Sequence, residues 1–294
     1  MRTARNSKKE GLQEAGALAT VCGRPWLLTI SLASALCIAY LTASFVHWGN
    51  AADRMLYASL GMIPIGLAAT LIAMSASTTR TDSRSRWAWR LLGGGLGCFF
   101  AGDVLWFVYQ NIQGTAPFPS VADAGYLAYY PLMFAGLLFL PSGRERRPRN
   151  LAMYAVCSAI TLLGAGLITY LILLPTIQSS HDDLLAYVLS VGYPVGDLLL
   201  LAGVAWVLLR GVSGNRLSIG LLCAGLIVGL AADVQYGYQS IQGTFISGGL
   251  PDAAYMVSWT LFAWAGYTQA AWSNTCRPGR LTYKIRQAVS KDEA

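Results

Sequence analysis

Three aspartates stand where a chain this apolar can least tolerate them. Asp103, Asp197 and Asp233 fall inside long hydrophobic runs, and apart from Arg54 at the very end of one run no Lys or Arg lies in the outer half of any run to neutralise them. A charged Asp near the bilayer centre costs at least about 2.5–3.5 kcal/mol on insertion scales. Each is therefore expected to face a cavity, meet a partner or carry its proton. A carboxylic acid that keeps its proton can start a reaction by giving it up. Helical spacing sets Asp103 on a face with Trp106, Phe107 and Gln110, and Asp233 with Tyr236 and Gly237. Steps of three and four likewise align Asp123 with Tyr126 and Tyr130, and Asp252 with Tyr255 and Trp259. Aromatic faces stabilise cations. Acids within aromatic walls suit acid-started rearrangement of a lipophile, such as cyclisation of a prenyl chain. One Asp would protonate an alkene or epoxide, the rings would hold the cation, and a second carboxyl would take the last proton. Asp103, Asp197 and Asp233 are thus the candidate catalytic residues. Trp106, Tyr126, Tyr130, Tyr236, Tyr255 and Trp259 are the candidate substrate-binding residues, with a lipophilic small molecule as partner and no cofactor.

The elements that must hold these groups are membrane helices. With 55% hydrophobic and 12% charged residues over 294 positions, an ordinary soluble domain is excluded. One bilayer crossing takes about 20 apolar residues. Eight such runs are expected, at 26–47, 54–75, 89–110, 122–141, 151–174, 184–209, 217–238 and 252–272. The fold class is all-α and integral to the membrane.

The sequence also repeats. Tyr109-Gln-Asn-Ile-Gln-Gly-Thr115 returns as Tyr238-Gln-Ser-Ile-Gln-Gly-Thr244, and the offset of 129 to 130 extends through Asp123 and Asp252, Tyr126 and Tyr255, Tyr40 and Tyr170, and Pro64-x-Gly66 and Pro194-x-Gly196. This predicts two four-helix repeats, 26–141 and 151–272. A basic loop at 142–150 joins them, and basic tails at 1–25 and 273–294 flank them. An even number of spans per repeat makes the halves parallel. With the N-terminus inside, 20 of the 21 Lys and Arg residues fall on one side, Arg54 being the exception. Both termini are expected to be cytoplasmic, in a multi-pass plasma-membrane protein. The net charge of +7 then reports topology and attraction to anionic lipid, not nucleic acid.

Other features have plainer readings. Ser120-x-x-Asp123 is a capping box, and Pro251-Asp252 fits a helix start. Trp and Tyr at span ends also fit an aromatic belt. Gly192-Tyr-Pro194-Val-Gly196-Asp197 is expected to break its helix just before an acid near the midplane. Asp103 lies 13 residues, about 20 Å at helical rise, beyond Arg90, and Asp233 sits nearer the outer surface. The first run is too long for a signal core and lacks a clear cleavage site. The six cysteines form no CxxC pair, and His47 and His181 belong to no metal-spaced cluster, so no metal is expected. Gly93-Gly-Gly95-x-Gly97 suits close helix packing rather than phosphate binding. No Lys lies within a span, which excludes a retinal Schiff base.

Gly102-Asp103-x2-Trp106, the stretch Pro117-Phe-Pro-Ser120-x2-Asp123-x2-Tyr126-Leu-x2-Tyr130-Pro131, and Tyr193-Pro194-x2-Asp197-Leu-Leu-Leu-Leu with Asp252-x2-Tyr255 together carry a resemblance. They resemble the multi-span N-terminal membrane module of actinobacterial diguanylate cyclase and phosphodiesterase proteins, over most of 26–272. The resemblance implies a sensory module coupled to cytoplasmic GGDEF and EAL domains. Neither motif follows the last span here, so no cyclic-dinucleotide chemistry is carried over. Three readings stand: an enzyme acting on a lipophile, a stand-alone sensor signalling through a cytoplasmic partner, and a proton-coupled transporter using Asp197. The missing output domain places the enzyme first.

Overall fold

The structure is a computed structural model and describes residues 26–44, 46, 49–78, 82–141, 143, 151–178, 183–211 and 213–275. Among them there is no strand. Helix α1 covers Trp26–Ser44, α2 Ala51–Thr78, α3 Ser83–Phe107 and α4 Val121–Phe139. Then come α5 Leu151–Ile168, α6 Leu174–Gln178, α7 Leu184–Arg210, α8 Arg216–Ile241 and α9 Leu250–Thr275. π-helical turns extend α3 over Val108–Ile112 and join α5 to α6 over Thr169–Leu173.

Among the described residues, six helical stretches are long and apolar enough to cross a membrane: Trp26–Ser44, Asp53–Thr78, Ser83–Ile112, Ser158–Gln178, Leu184–Arg210 and Arg216–Ile241. The other two expected spans, α4 and α9, are helical over the expected ranges. They begin with an acid and carry tyrosines that dilute their apolar character. The basic tails and most of the 142–150 loop lie outside the described residues, as do His47 and His181.

Local chemistry sets the helix starts. Asp82, Asp183 and Asn215 each accept a hydrogen bond from an amide of the turn they cap, at α3, α7 and α8. Asn50 and Asp53 bond reciprocally at the start of α2. The duplicated heptapeptide acts as a stop. Gly114 and Gly243 take positive φ, 64° and 67°, which turns the chain out of α3 and α8. The Thr115 and Thr244 amides then donate back to the Tyr109 and Gln239 carbonyls, at 2.9 and 2.8 Å.

Six helices close a ring. α2 packs on α3 and α9, α3 on α4, α4 on α7, α7 more lightly on α8, and α8 on α9. α5 and α6 lie outside against α7, and α1 meets α9 where the Trp264 indole donates to Ser34. Small residues bring the backbones together, as expected where van der Waals contact drives packing. A Cβ on Gly125 would stand 2.6 Å from the Cys98 carbonyl, and one on Gly266 3.0 Å from the Ala73 amide. Large apolar side chains such as Leu28, Leu32, Leu162, Leu163 and Leu184 point outward, the inverted surface that lipid requires. Tyr40 is buried and Tyr170 exposed, so this repeated pair does not share an environment.

One expectation is corrected. α7 is not broken before Asp197; it runs unbroken through Pro194. Neighbouring helices hold it on both sides, and a membrane helix so held tolerates one missing amide donor.

At the end of α4 the last carbonyls are satisfied from other helices. Arg84 of α3 donates to Leu138 and Phe139, and Arg210 of α7 donates to Leu137, Leu138 and Leu140. Two cations thus close one helix C-terminus, with charge of the sign its dipole prefers.

Candidate functional site

Every candidate acid carries a tyrosine donor or a helix-start amide. Tyr126 of α4 donates to Asp103 Oδ1 of α3 at 3.1 Å, and Tyr255 of α9 donates to Asp233 Oδ1 of α8 at 2.6 Å. These two bonds join positions that the sequence offset relates. Tyr130 of α4 donates to Asp197 Oδ1 of α7 at 3.0 Å, with both residues buried. Tyr193, one turn before Asp197, donates to Asp123 Oδ1 of α4. The α4–α7 contact therefore carries two Tyr–Asp bonds running in opposite directions.

Asp123 uses its other oxygen as the plainer reading expects, accepting from the Ser120 amide and hydroxyl at 2.6 and 2.9 Å. Asp252 accepts from the Gly248 amide at the start of α9. Asp123 thus serves two purposes, while Asp252 has the character of a helix-start residue.

Asp103 and Asp233 each bond their own tyrosine, and the carboxyl that touches Asp233 is Asp197. Ionised carboxylates are acceptors only, so two in contact need one proton between them. Tyr130 and Tyr255 bracket this pair from outside. Asp103 differs: its Oδ2 is buried and, among the described residues, has no hydrogen-bond partner. Leaving a polar atom so costs about 1–3 kcal/mol.

Around Asp103 the aromatic rings converge. Phe99, one turn earlier on α3, makes edge contacts with Tyr126 at 4.9 Å, Tyr129 at 5.1 Å and Trp259 at 5.6 Å between centroids. Tyr255 lies 6.4 Å from it, and Trp259 stands beside the Asp103 carboxyl. Asp103, Tyr126, Asp233 and Tyr255 are half-buried, while Tyr130 and Asp197 are buried.

Of the expected wall residues, Tyr126, Tyr130, Tyr255 and Trp259 are in this cluster. Tyr236 packs edge-on against Phe245, 4.8 Å away, near the C-terminal end of α8. Trp106 is half-buried, and among the described residues no hydrogen bond or ring contact joins it to the acids. Phe99, Tyr129 and Tyr193 belong to the cluster without having been singled out. Phe99 and Tyr193 lie four residues before Asp103 and Asp197, a helical spacing that could have flagged both.

Among the described residues no group of three His, Cys, Asp or Glu could hold a metal ion. No protein-family model, curated protein or solved structure matches this chain.

Proposed function

We propose that this chain is an integral membrane enzyme that rearranges a lipophilic substrate by acid catalysis, with cyclisation or isomerisation of a prenyl chain as the reaction. In this reading it spans the plasma membrane eight times as two parallel four-helix halves, with both termini cytoplasmic. The observation that carries the chemistry is the buried, unpartnered Oδ2 of Asp103 among Phe99, Tyr126 and Trp259. Protonated Asp103 gives its proton to an alkene carbon or an epoxide oxygen. The ring faces hold the cation that results, each contact contributing about 0.5–2 kcal/mol. A carboxylate of the Asp197–Asp233 pair removes a proton from the neighbouring carbon as the final double bond forms. The product has the substrate's mass.

The test is mass spectrometry of lipophilic extracts from cells expressing the chain, fed prenylated and epoxidised-prenyl compounds. The control carries Asp103→Asn, Asp197→Asn and Asp233→Asn. A product of unchanged mass and new retention time, absent from the control, supports the reading; unaltered compounds throughout sink it for this substrate class.

A membrane sensor is the second reading, favoured by the opposed Tyr130–Asp197 and Tyr193–Asp123 bonds between the halves. A ligand that replaced either donor would shift α4 against α7. A lipophile that co-purifies unchanged with the wild type alone would select this reading over the enzyme.

A further inference from the structure

The internal repeat makes one seam of the ring stand out. The sequence offset relates Pro64-x-Gly66 of α2 to Pro194-x-Gly196 of α7, and Asp103 of α3 to Asp233 of α8. The α7–α8 contact is therefore the counterpart of the α2–α3 contact. Yet α2 and α3 pack closely, whereas α7 and α8 touch more lightly than any other neighbours in the ring. Asp197 and Asp233 meet across this looser seam.

The α5–α6 segment covers the seam from outside. α5 and α6 pack on α7, and the π-helical turn Thr169–Leu173 between them touches both α7 and α8. Ile168, Ile172 and Thr176, spaced by four, are buried and form its inward stripe, while Leu162, Leu163 and Tyr170 point out. Ile172 fills a notch in α8: a Cβ on Gly237 would stand 2.7 Å from its Cδ1 and 3.3 Å from its Cγ2. Gly237 shares a helix face with Asp233 and lies one turn beyond it, about 6 Å along the axis. The offset puts Phe107 or Val108 at the place of Gly237 and Thr42 at the place of Ile172, so the first half has neither notch nor plug. Glycine inside a helix is unfavourable in itself, and π-helical turns are rare and concentrate at functional sites. Both occur here, over the two acids.

We propose that the α7–α8 seam is where a neutral, chain-like lipophile enters from the bilayer, with Ile172 as the side chain that moves aside to admit it to the Asp197–Asp233 pair. The entering molecule is neutral because the stripe it passes, Ile168, Ile172 and Thr176, carries no charge to compensate one brought out of water. It is narrow because two helices that part along one seam open a slot. The inference rests on the reading that a lipophile reaches these acids, whichever reaction follows.

The test uses the full chain in phosphatidylcholine nanodiscs and a lipophilic probe, dicyclohexylcarbodiimide. A protonated carboxyl gives its proton to a carbodiimide nitrogen and bonds through oxygen to the central carbon; the adduct rearranges to an N-acylurea without losing an atom. Peptide mass spectrometry reads the labelling rate at Asp197 and Asp233. No turnover is needed, so a failed seam leaves the feeding experiment standing, and a failed feeding experiment leaves the seam standing. Ile172→Ala is expected to speed labelling about tenfold, because it removes contacts made only while the seam is closed. Ile172→Val, which disturbs the fold less, should give a smaller rise. Ile172→Ala combined with Gly237→Leu supplies the plug from the other side and should return the rate to within about threefold of wild type. A charged, water-soluble carbodiimide should label these acids no faster in Ile172→Ala than in wild type. Unchanged labelling in the folded Ile172 variants would overturn the proposal. So would an equal rise in Ile65→Ala, the same truncation in the buried core of α2, or equal acceleration of the charged probe.

Discussion

Tyr130→Phe isolates one bond between the two halves of the chain. The phenol donates to Asp197 at 3.0 Å, and each residue is only 5% exposed, so no water stands ready to replace the donor. The ring itself should not move. It lies flat against Gly196, where a Cβ would meet its carbons at 2.5–2.7 Å, and it contacts Tyr129 and Tyr193 edge-on. The substitution therefore removes a hydrogen bond and leaves the packing. Such a bond contributes about 0.5–1.5 kcal/mol to a neutral acceptor and about 1.5–3 kcal/mol to a charged one. A loss of about 1–3 kcal/mol is expected in reversible unfolding from mixed micelles. Combined with Asp197→Asn in a double-mutant cycle, it should show a coupling of about 0.5–3 kcal/mol. A Tyr130→Phe protein within about 0.3 kcal/mol of wild type, or strict additivity with Asp197→Asn, would refute the assignment of this bond.

Other outcomes follow from the same reasoning. Gly196→Ala should cost about 1–3 kcal/mol in that unfolding measurement by driving Tyr130 off its seat, whereas Gly94→Ala, with nothing within 4 Å, should be neutral or stabilise by about 0.5–1 kcal/mol. Asp82→Ala should lose about 0.5–2 kcal/mol and Asp82→Asn less, because Asn keeps the cap and gives up only the charge. Since the folded Asp82 carboxyl sits below its ordinary value, its contribution is complete above the ordinary range and fades as pH falls through the folded value. A pH titration of wild type against Asp82→Asn measures that difference, which should narrow only in acid. Arg210→Lys keeps charge but not the fork that reaches three carbonyls. It should destabilise the α4 end, read as faster amide exchange at residues 137–140.

The helices were legible because each apolar run had to be long enough for a bilayer and each cap has a short local signature. Ser120-x-x-Asp123 was visible as a capping box, and the structure has that bond. The second use of Asp123, accepting from Tyr193, was not visible, because it depends on α4 and α7 being neighbours. The same limit applies to the acids. Spacing placed Asp103 and Asp233 on aromatic faces, but only ring closure determines that Asp233 meets Asp197 and that Asp103 Oδ2 is left alone. Pro194 misled for a related reason: the sequence reports the missing donor and not the neighbours that keep the helix unbroken.

In the proposed eight-span reading, the clamped end of α4 ties this protein to lipid acyl-chain length. Its 19 residues span about 28 Å, against about 42 Å for the 28 residues of α2, so within the six-helix ring α4 is the member closest to the hydrocarbon thickness itself. Its first turn is held by Tyr193 and its last by Arg84 and Arg210, so it cannot tilt or slide alone to meet a thicker membrane. A longer helix absorbs a mismatch by leaning; here the strain would pass through those clamps to α3 and α7, the helices that carry Asp103 and Asp197. Lengthening the acyl chains of the host bilayer should therefore act on the acid cluster without any molecule entering it.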